Sequence, residues 1–408
     1  MKEEKKICFF LNWVREIDMF ENIFKRLDKN EIFFIINDLN KSVAEHKKEH
    51  ENISNFLKER KLEYDFLSKV QGKKRFKFLL STGDLPVSKL DLISFIKYLY
   101  GKSFGSIIQL LGLNIYLKKI FNREFTAGGI NAKIYNDIYI EKQISNISVK
   151  FPNGLDRNIK FFPNKKWLNV FDIYFSSSIL ENNLIKKKFK NKKTYYVGYS
   201  RFDGKSNSNL SIIKNEFNLD LSKKTIYCCP NERIMFEQSQ QGIIEYLEYL
   251  KLLGEKFNVI MRPHPKLKFS NPHYFKLIEN SGIKLDLRLN RKIEDLYLSS
   301  DLVIGDYGSS VLEAIYLKRR IMIYKWPKEE NFKILFDKKN CLDQIVKDEL
   351  MVKGTKTNLT NKEKIDFIFN IITSSEYQKK INNIKLELFG TPEIISDPYK
   401  ILKNLYEK

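Results

Sequence analysis

The chain has 408 residues, 43% of them hydrophobic, and Lys plus Arg outnumber Asp plus Glu by 72 to 50, for a net charge of +22. That length exceeds what one hydrophobic core usually serves, so two domains are expected. No run approaches the roughly 18 apolar residues of a spanning helix, the amino end passes into a short apolar strand and not a signal peptide, and Cys8, Cys228, Cys229 and Cys341 lack metal-ligand spacing, so neither a disulfide nor zinc is favoured and a cytoplasmic protein is expected.

From the amino end, residues 7–11, 32–36 and 76–80 are short apolar runs with helix-like segments between them, an alternation that predicts a parallel sheet with helices on both faces. Residues 90–121 mix Leu, Ile, Phe and Tyr with Lys97, Lys102, Lys118 and Lys119. They read either as helices covering that sheet or as an amphipathic surface for a membrane or lipid-linked acceptor. Polar, turn-rich residues 204–209 mark an interdomain linker. A second alternation follows: strands over 225–229, 257–261, 301–304 and 321–324, helices over 242–253 and 274–278. Residues 396–408 carry Tyr399, Ile401, Leu402 and Leu405 at helical spacing.

Basic runs such as residues 186–193 come without any RRM, KH, zinc-finger or helix-turn-helix pattern, so no nucleic-acid partner is expected. The positive charge suits an anionic membrane face or an anionic substrate, or it reflects a lysine-rich composition alone.

The stretch from 259 to 324 carries most of the chemistry. Asp301-Leu302-Val303-Ile304 is a buried-type strand, Gly305 to Ser310 is turn-competent, and Val311 onward resumes with helical spacing. Such a strand, turn and helix leaves backbone N–H groups and the positive end of a helix facing outward at the carboxyl edge of the sheet, where a diphosphate can be held. Upstream, Arg262-Pro263-His264-Pro265 ends a strand, with two prolines fixing the backbone around a histidine able to donate to a phosphate or shuttle a proton. Arg262 reads equally as a diphosphate ligand or as half of an ion pair. Walker and dinucleotide glycine loops are absent, as is a metal-binding Asp-x-Asp loop.

These segments resemble the CDP-glycerol glycerophosphotransferase family of teichoic-acid and capsule polymerases, which are similar in fold to GT-B glycosyltransferases. The resemblance rests on five elements in order: residues 172–178 with their Ser cluster, Gly198-Tyr199-Ser200-Arg201-Phe202-Asp203, Ile226-Tyr227-Cys228-Cys229-Pro230, His264-Pro265, and Ser300 to Ser310 with Gly305 and Gly308 as variants. It implies an α/β GT-B protein of two Rossmann-like domains facing across a cleft: an acceptor domain over 1–205, joined by a terminal helix over 385–408, and a nucleotide-donor domain over 206–384. It further implies phosphate contacts from Gly308, Ser309 and Ser310, a ribose contact from Glu313, and interdomain roles for Arg201 and Asp203. Ser309 and Ser310 also suit simple helix capping, and Asp306 suits either the phosphate or its own turn.

One position departs from the family. Where relatives carry Trp-His-Gly with a catalytic His, this chain reads Phe151-Pro152-Asn153-Gly154, and an amide cannot take a proton at neutral pH. Asp156 is the nearest replacement base, with His264 the other catalytic candidate. The expected function is metal-independent transfer from CDP-glycerol or a related CDP-alditol, bound as substrate with no cofactor, onto a polymer or lipid-linked acceptor at the inner membrane face. Glycosyl transfer from a CMP-, UDP- or GDP-sugar is the alternative that Asn153 keeps open, and an inert binding module of the same fold is the alternative of another class. A sugar 2-epimerase shares the architecture but needs more histidine and carboxylate groups than a chain with four histidines offers.

Overall fold

The computed structural model describes residues 3–38, 44–70, 75–83, 144–152, 154–155, 171–202, 210–231, 235, 238–265, 267–288, 291–306, 309–324, 326 and 359–407. The readings of residues 90–121, of the 204–209 linker, and of Asn153, Asp156, Asp203 and Gly308 lie outside the described residues. The chain divides into two compact units, Met1–Asn153 with Phe161–Arg201 and Glu393–Lys408, and Gly154–Lys160 with Phe202–Pro392.

The first unit holds a seven-stranded sheet built from β1 (Glu3–Leu11), β2 (Ile32–Ile36), β3 (Tyr64–Phe66), β4 (Arg75–Ser81), β5 (Ser145–Lys150), β6 (Ile173–Ser176) and β7 (Lys193–Tyr196), in the order β3-β2-β1-β4-β5-β6-β7. Every recorded strand pair is parallel. The central strands read as continuous hydrophobic runs because both faces are covered. Ile7, Phe9 and Leu11 pack on one side with Phe20, Phe24 and Phe34, while Cys8 and Phe10 pack on the other with Phe33, Phe76 and Leu79. Helix Pro398–Tyr406 belongs to this unit: Leu402 is fully buried in the Phe9 cluster, and Arg26 pairs with Asp397 at 2.9 Å.

The second unit is a five-stranded parallel sheet of β8 (Thr225–Cys229), β9 (Asn258–Met261), β10 (Lys284–Leu285), β11 (Leu302–Gly305) and β12 (Arg320–Ile323), ordered β10-β9-β8-β11-β12. Ile226, Cys228, Met261, Ile304 and Met322 face helices Gln240–Gly254 and Asn361–Thr373, together with the Tyr246, Tyr324 and Trp326 rings. Chain order reverses between β8 and β11, so this pair is the topological switch point, beside which α/β sheets bind ligands.

Five strands differ from the sequence reading, among them the three-residue β3, which that reading lacks. β1 begins at Glu3, before its apolar run, because Glu3 and Glu4 pair with Arg75 and Phe76 ahead of a register shift. Strand β5 escapes a hydrophobicity reading because its buried residues include Ser145, Ser148 and Lys150. β7 is an edge strand opening on a lysine, and β10 is two residues long. No described helix is long and apolar enough to cross a membrane.

Candidate functional site

The carboxyl ends of the second sheet are brought level by a ladder of backbone bonds. Register pairs Cys229 with Gly305 across the switch point and Cys228 with Met261 on the other side. One step further, Arg262 N–H donates to the Cys228 carbonyl at 2.8 Å, Asp286 N–H to Met261 at 2.9 Å and Tyr324 N–H to Gly305 at 2.7 Å. Asp306, Pro230, Arg262 and Asp286 therefore stand side by side along one edge.

Helix Ser309–Tyr316 rises from this edge just after β11 and has no acidic residue in its first turn. Its approach to the strand depends on Gly305. A Cβ there would sit 2.7 Å from the Val311 Cγ2, closer than real Cβ contacts come, so only glycine fits. Ser309 and Ser310 open the helix half-buried, with the Ser310 hydroxyl against the Cys229 thiol, a contact that opposes the burial pushing that thiol upward. A buried thiol with a raised pKa is a packing group and not a nucleophile.

Asp306 is an organiser of its turn. Only 3% exposed, it accepts the Asn231 N–H on both oxygens at 2.9 and 3.0 Å and the Trp326 indole N–H at 2.8 Å, so one carboxylate ties the ends of β8 and β11 to the residue beyond β12. Of the two sequence readings for Asp306, the turn is the one its hydrogen bonds serve, because its oxygens are spent on internal donors. Arg262 makes the ion pair, Nη1 lying 2.7 Å from Asp286, which is buried and also holds Arg291 Nε at 2.9 Å. Arg291 pairs in turn with Glu216, as does Arg288 at 3.0 Å. Two guanidinium groups are thus pinned at the ends of β9 and β10 by one shared carboxylate.

Glu313, expected to grip a ribose, is buried one turn into its helix and accepts the Tyr297 hydroxyl at 3.1 Å. Tyr227 lies beneath, with a buried hydroxyl that has no hydrogen-bond partner among the described residues. Burial is the main cause that raises both phenols, with Glu313 adding to it. His264 is exposed just past β9, and its carbonyl accepts the Leu267 N–H at 2.9 Å, starting the next helical turn. Arg201 ends the Phe161–Arg201 segment of the first unit and is half-buried. It follows Gly198, whose φ of +70° explains the glycine of that motif. The structure therefore brings Arg262, His264, Asp306, Ser309 and Ser310 to one sheet edge. Sequence reasoning missed Asn231, Asp286, Arg291 and Trp326, whose partners lie 5 to 75 residues away. Among the described residues no group of three or more His, Cys, Asp or Glu side chains is placed to hold a metal ion.

Comparison with known proteins falls on this same stretch. Residues 157–333 match the family described as CDP-glycerol:poly(glycerophosphate) glycerophosphotransferase. The teichoic acid poly(glycerol phosphate) polymerase of Bacillus subtilis (strain 168) is 29% identical over 143 residues, covering 33% of this chain and 19% of the polymerase, so the match spans about a fifth of that relative. Among solved structures, the wall teichoic acid polymerase TagF superposes with a TM-score of 0.55 at 14% identity, covering 98% of this chain and 87% of that one. A TagF variant soaked with CDPG gives 0.55 at 16% identity over 99% and 87%. The UDP-GlcNAc 2-epimerase of Neisseria meningitidis, bound to UDP-GlcNAc, gives 0.50 at 14% identity over 99% and 100%. The resemblance read from the sequence motifs is thus found independently, and the fold is GT-B-like, with two parallel-stranded α/β sheets.

Proposed function

We propose that the chain is a transferase that moves a glycerophosphate-type group from CDP-glycerol, or a related CDP-alditol, to a hydroxyl of a cell-surface polymer. The observation that carries this reading is the family match over 157–333, which contains the whole β8–β11 switch point and the acid-free helix end beside it. In the reaction an acceptor hydroxyl attacks the phosphorus next to the alditol, the diphosphate bridge breaks, and CMP leaves with the extra negative charge. The helix amino terminus, Ser309, Ser310 and His264 stabilise that charge, the task that dominates when the leaving group is a phosphate. Asp286 keeps Arg262 and Arg291 beside them. Asp306 holds the turn open, and no metal ion is called for.

Removal of the acceptor proton is assigned to Asp156, in place of the family histidine that Asn153 replaces. The acceptor is a polymer or lipid-linked chain, and the net charge of +22 favours an anionic membrane face for it. The transfer of a sugar in place of an alditol phosphate is the second reading, favoured by the Phe151-Pro152-Asn153-Gly154 departure. Incubation with CDP-glycerol, CDP-ribitol and CMP-, UDP- and GDP-sugars separates them: CMP released from a CDP-alditol is the expected product, UDP or GDP released from a sugar donor supports the second reading, and no turnover of any donor points to an inert module.

A further inference from the structure

The first sheet has its own switch point, between β1 and β4, and its chemistry is the reverse of the second. Three successive backbone N–H groups after β1 are taken by the chain's own acids. Asn12 and Trp13 donate to Glu16 Oε2 at 2.5 and 3.2 Å, and Val14 donates to Glu49 Oε2 at 2.9 Å. The Thr82 hydroxyl, just past β4, donates to the other Glu16 oxygen. Amides at such a turn are the groups that would hold a phosphate, and here they are already occupied. The turn after β6 repeats the device: Ser177 donates from N–H and hydroxyl to Glu181 Oε2 at 2.8 and 2.9 Å, while Ser178 Oγ accepts the Glu181 N–H at 3.0 Å.

What the acids leave open is neutral. Asn12 is 5% exposed; its Oδ1 accepts from Asn37 Nδ2 at 2.7 Å, and its own Nδ2 is buried without a partner among the described residues. Exchanging O for N in both amides would move the orphan to the other atom without removing it. Asn182, in the helix after β6, likewise keeps a buried Oδ1 with no donor among the described residues. Buried polar groups nearly always find a partner, and two orphans beside strand ends on the ligand-binding edge of one sheet point to partners that arrive with a ligand.

We propose that the carboxyl edge of the first sheet, at β1 and β4, binds a neutral polyhydroxyl group, with Asn12 Nδ2 donating to one of its hydroxyl oxygens. A phosphate is disfavoured because Glu16 and Glu49 already fill the amides that would hold it. The inference deepens the proposed function, on whose reading this group is the uncharged part of the acceptor. The test uses the full chain and saturation-transfer NMR with triglycerol and with ribitol as probes, inorganic phosphate as competitor, and CDP-glycerol titrated separately. Polyol binding should weaken about tenfold or more in Asn12→Ala and in Asn12→Ser, the second retaining a hydroxyl oxygen for Asn37, with melting confirming that both fold. CDP-glycerol affinity should stay as in the wild type, and phosphate should not displace the polyol. Undiminished polyol binding in the folded variants, displacement by phosphate, or no polyol binding by the wild type overturns the proposal. Loss of CDP-glycerol binding by the wild type would instead sink the donor assignment and leave the polyol result standing by itself.

Discussion

The two sheets share the strand order around their switch points, and the helices that follow β1, β6 and β11 differ in what sits at their amino ends. In the first unit Glu16 and Glu181 turn back to satisfy the N–H groups of the turns before their own helices, and both are buried. In the second, helix Ser309–Tyr316 begins without an acid, and the acids nearby, Asp286 and Asp306, are committed to arginines, a backbone amide and an indole. The same fold can thus offer a helix dipole to a ligand or cancel it internally, and one residue in the first turn decides which. The difference is one of local electrostatics that neither strand pattern nor composition supplies, and the proposed division between a charged donor group and a neutral polyol rests on it.

The largest expected effect lies where the family histidine is replaced. Asp156→Asn should lower turnover by about 10² to 10⁴, the range for a lost general base, with CDP-glycerol affinity unchanged in a binding titration; full activity would reject Asp156 and move the proton to His264 or to the substrate. Next, His264→Ala, and separately Ser309→Ala with Ser310→Ala, should each weaken donor binding or turnover by about tenfold or more. Unaltered kinetics in folded variants would remove the second unit's claim to the anion. Gly305→Ala should destabilise the protein by about 1 to 3 kcal/mol, the usual cost of overpacking, because the new methyl meets Val311. Val311→Ala in the same chain should recover part of that loss in a thermal melt, and failure to do so would mean that the strand-to-helix approach is not the constraint.

The smallest effect belongs to the first unit. Burial raises the Glu16 carboxyl above its ordinary 4.5, against the opposing bonds from Thr82, Asn12 and Trp13. The folded state therefore holds that proton more tightly than the unfolded chain. Its stabilising contribution is complete below pH 4.5 and is lost as pH rises from there through the folded-state value. Glu16→Gln can still accept from the two amides and donate to Thr82, so it should flatten stability against pH over that window. A pH profile parallel to the wild type would show that Glu16 does not titrate there.

Much of this was legible in the sequence. The runs at 32–36 and 225–229 matched their strands residue for residue, since β-branched and aromatic clusters flanked by polar turns leave few alternatives. The strand, turn and helix around Gly305 was readable for the same reason, and so was the presence of His264 at a strand end. What stayed hidden was where polar side chains spend their bonds. Asp306 and Arg262 each carried two readings, and the bonds they make to Asn231, Trp326 and Asp286 become visible only in the fold. Glu16 drew no notice because an acid in a first turn is ordinary. Its significance comes from Glu49, 33 positions onward, which takes the next amide of the turn, and from Thr82, 66 positions onward, whose hydroxyl bonds the other Glu16 oxygen.

The most direct test of the division between the two sheets is a crystal of the protein soaked with CDP-glycerol. The account predicts the diphosphate within hydrogen-bond distance of the amino end of helix Ser309–Tyr316, with the turn formed by Asn12, Trp13 and Val14 still bonded to Glu16 and Glu49. A diphosphate seated on that turn, with the two glutamates displaced, would contradict it.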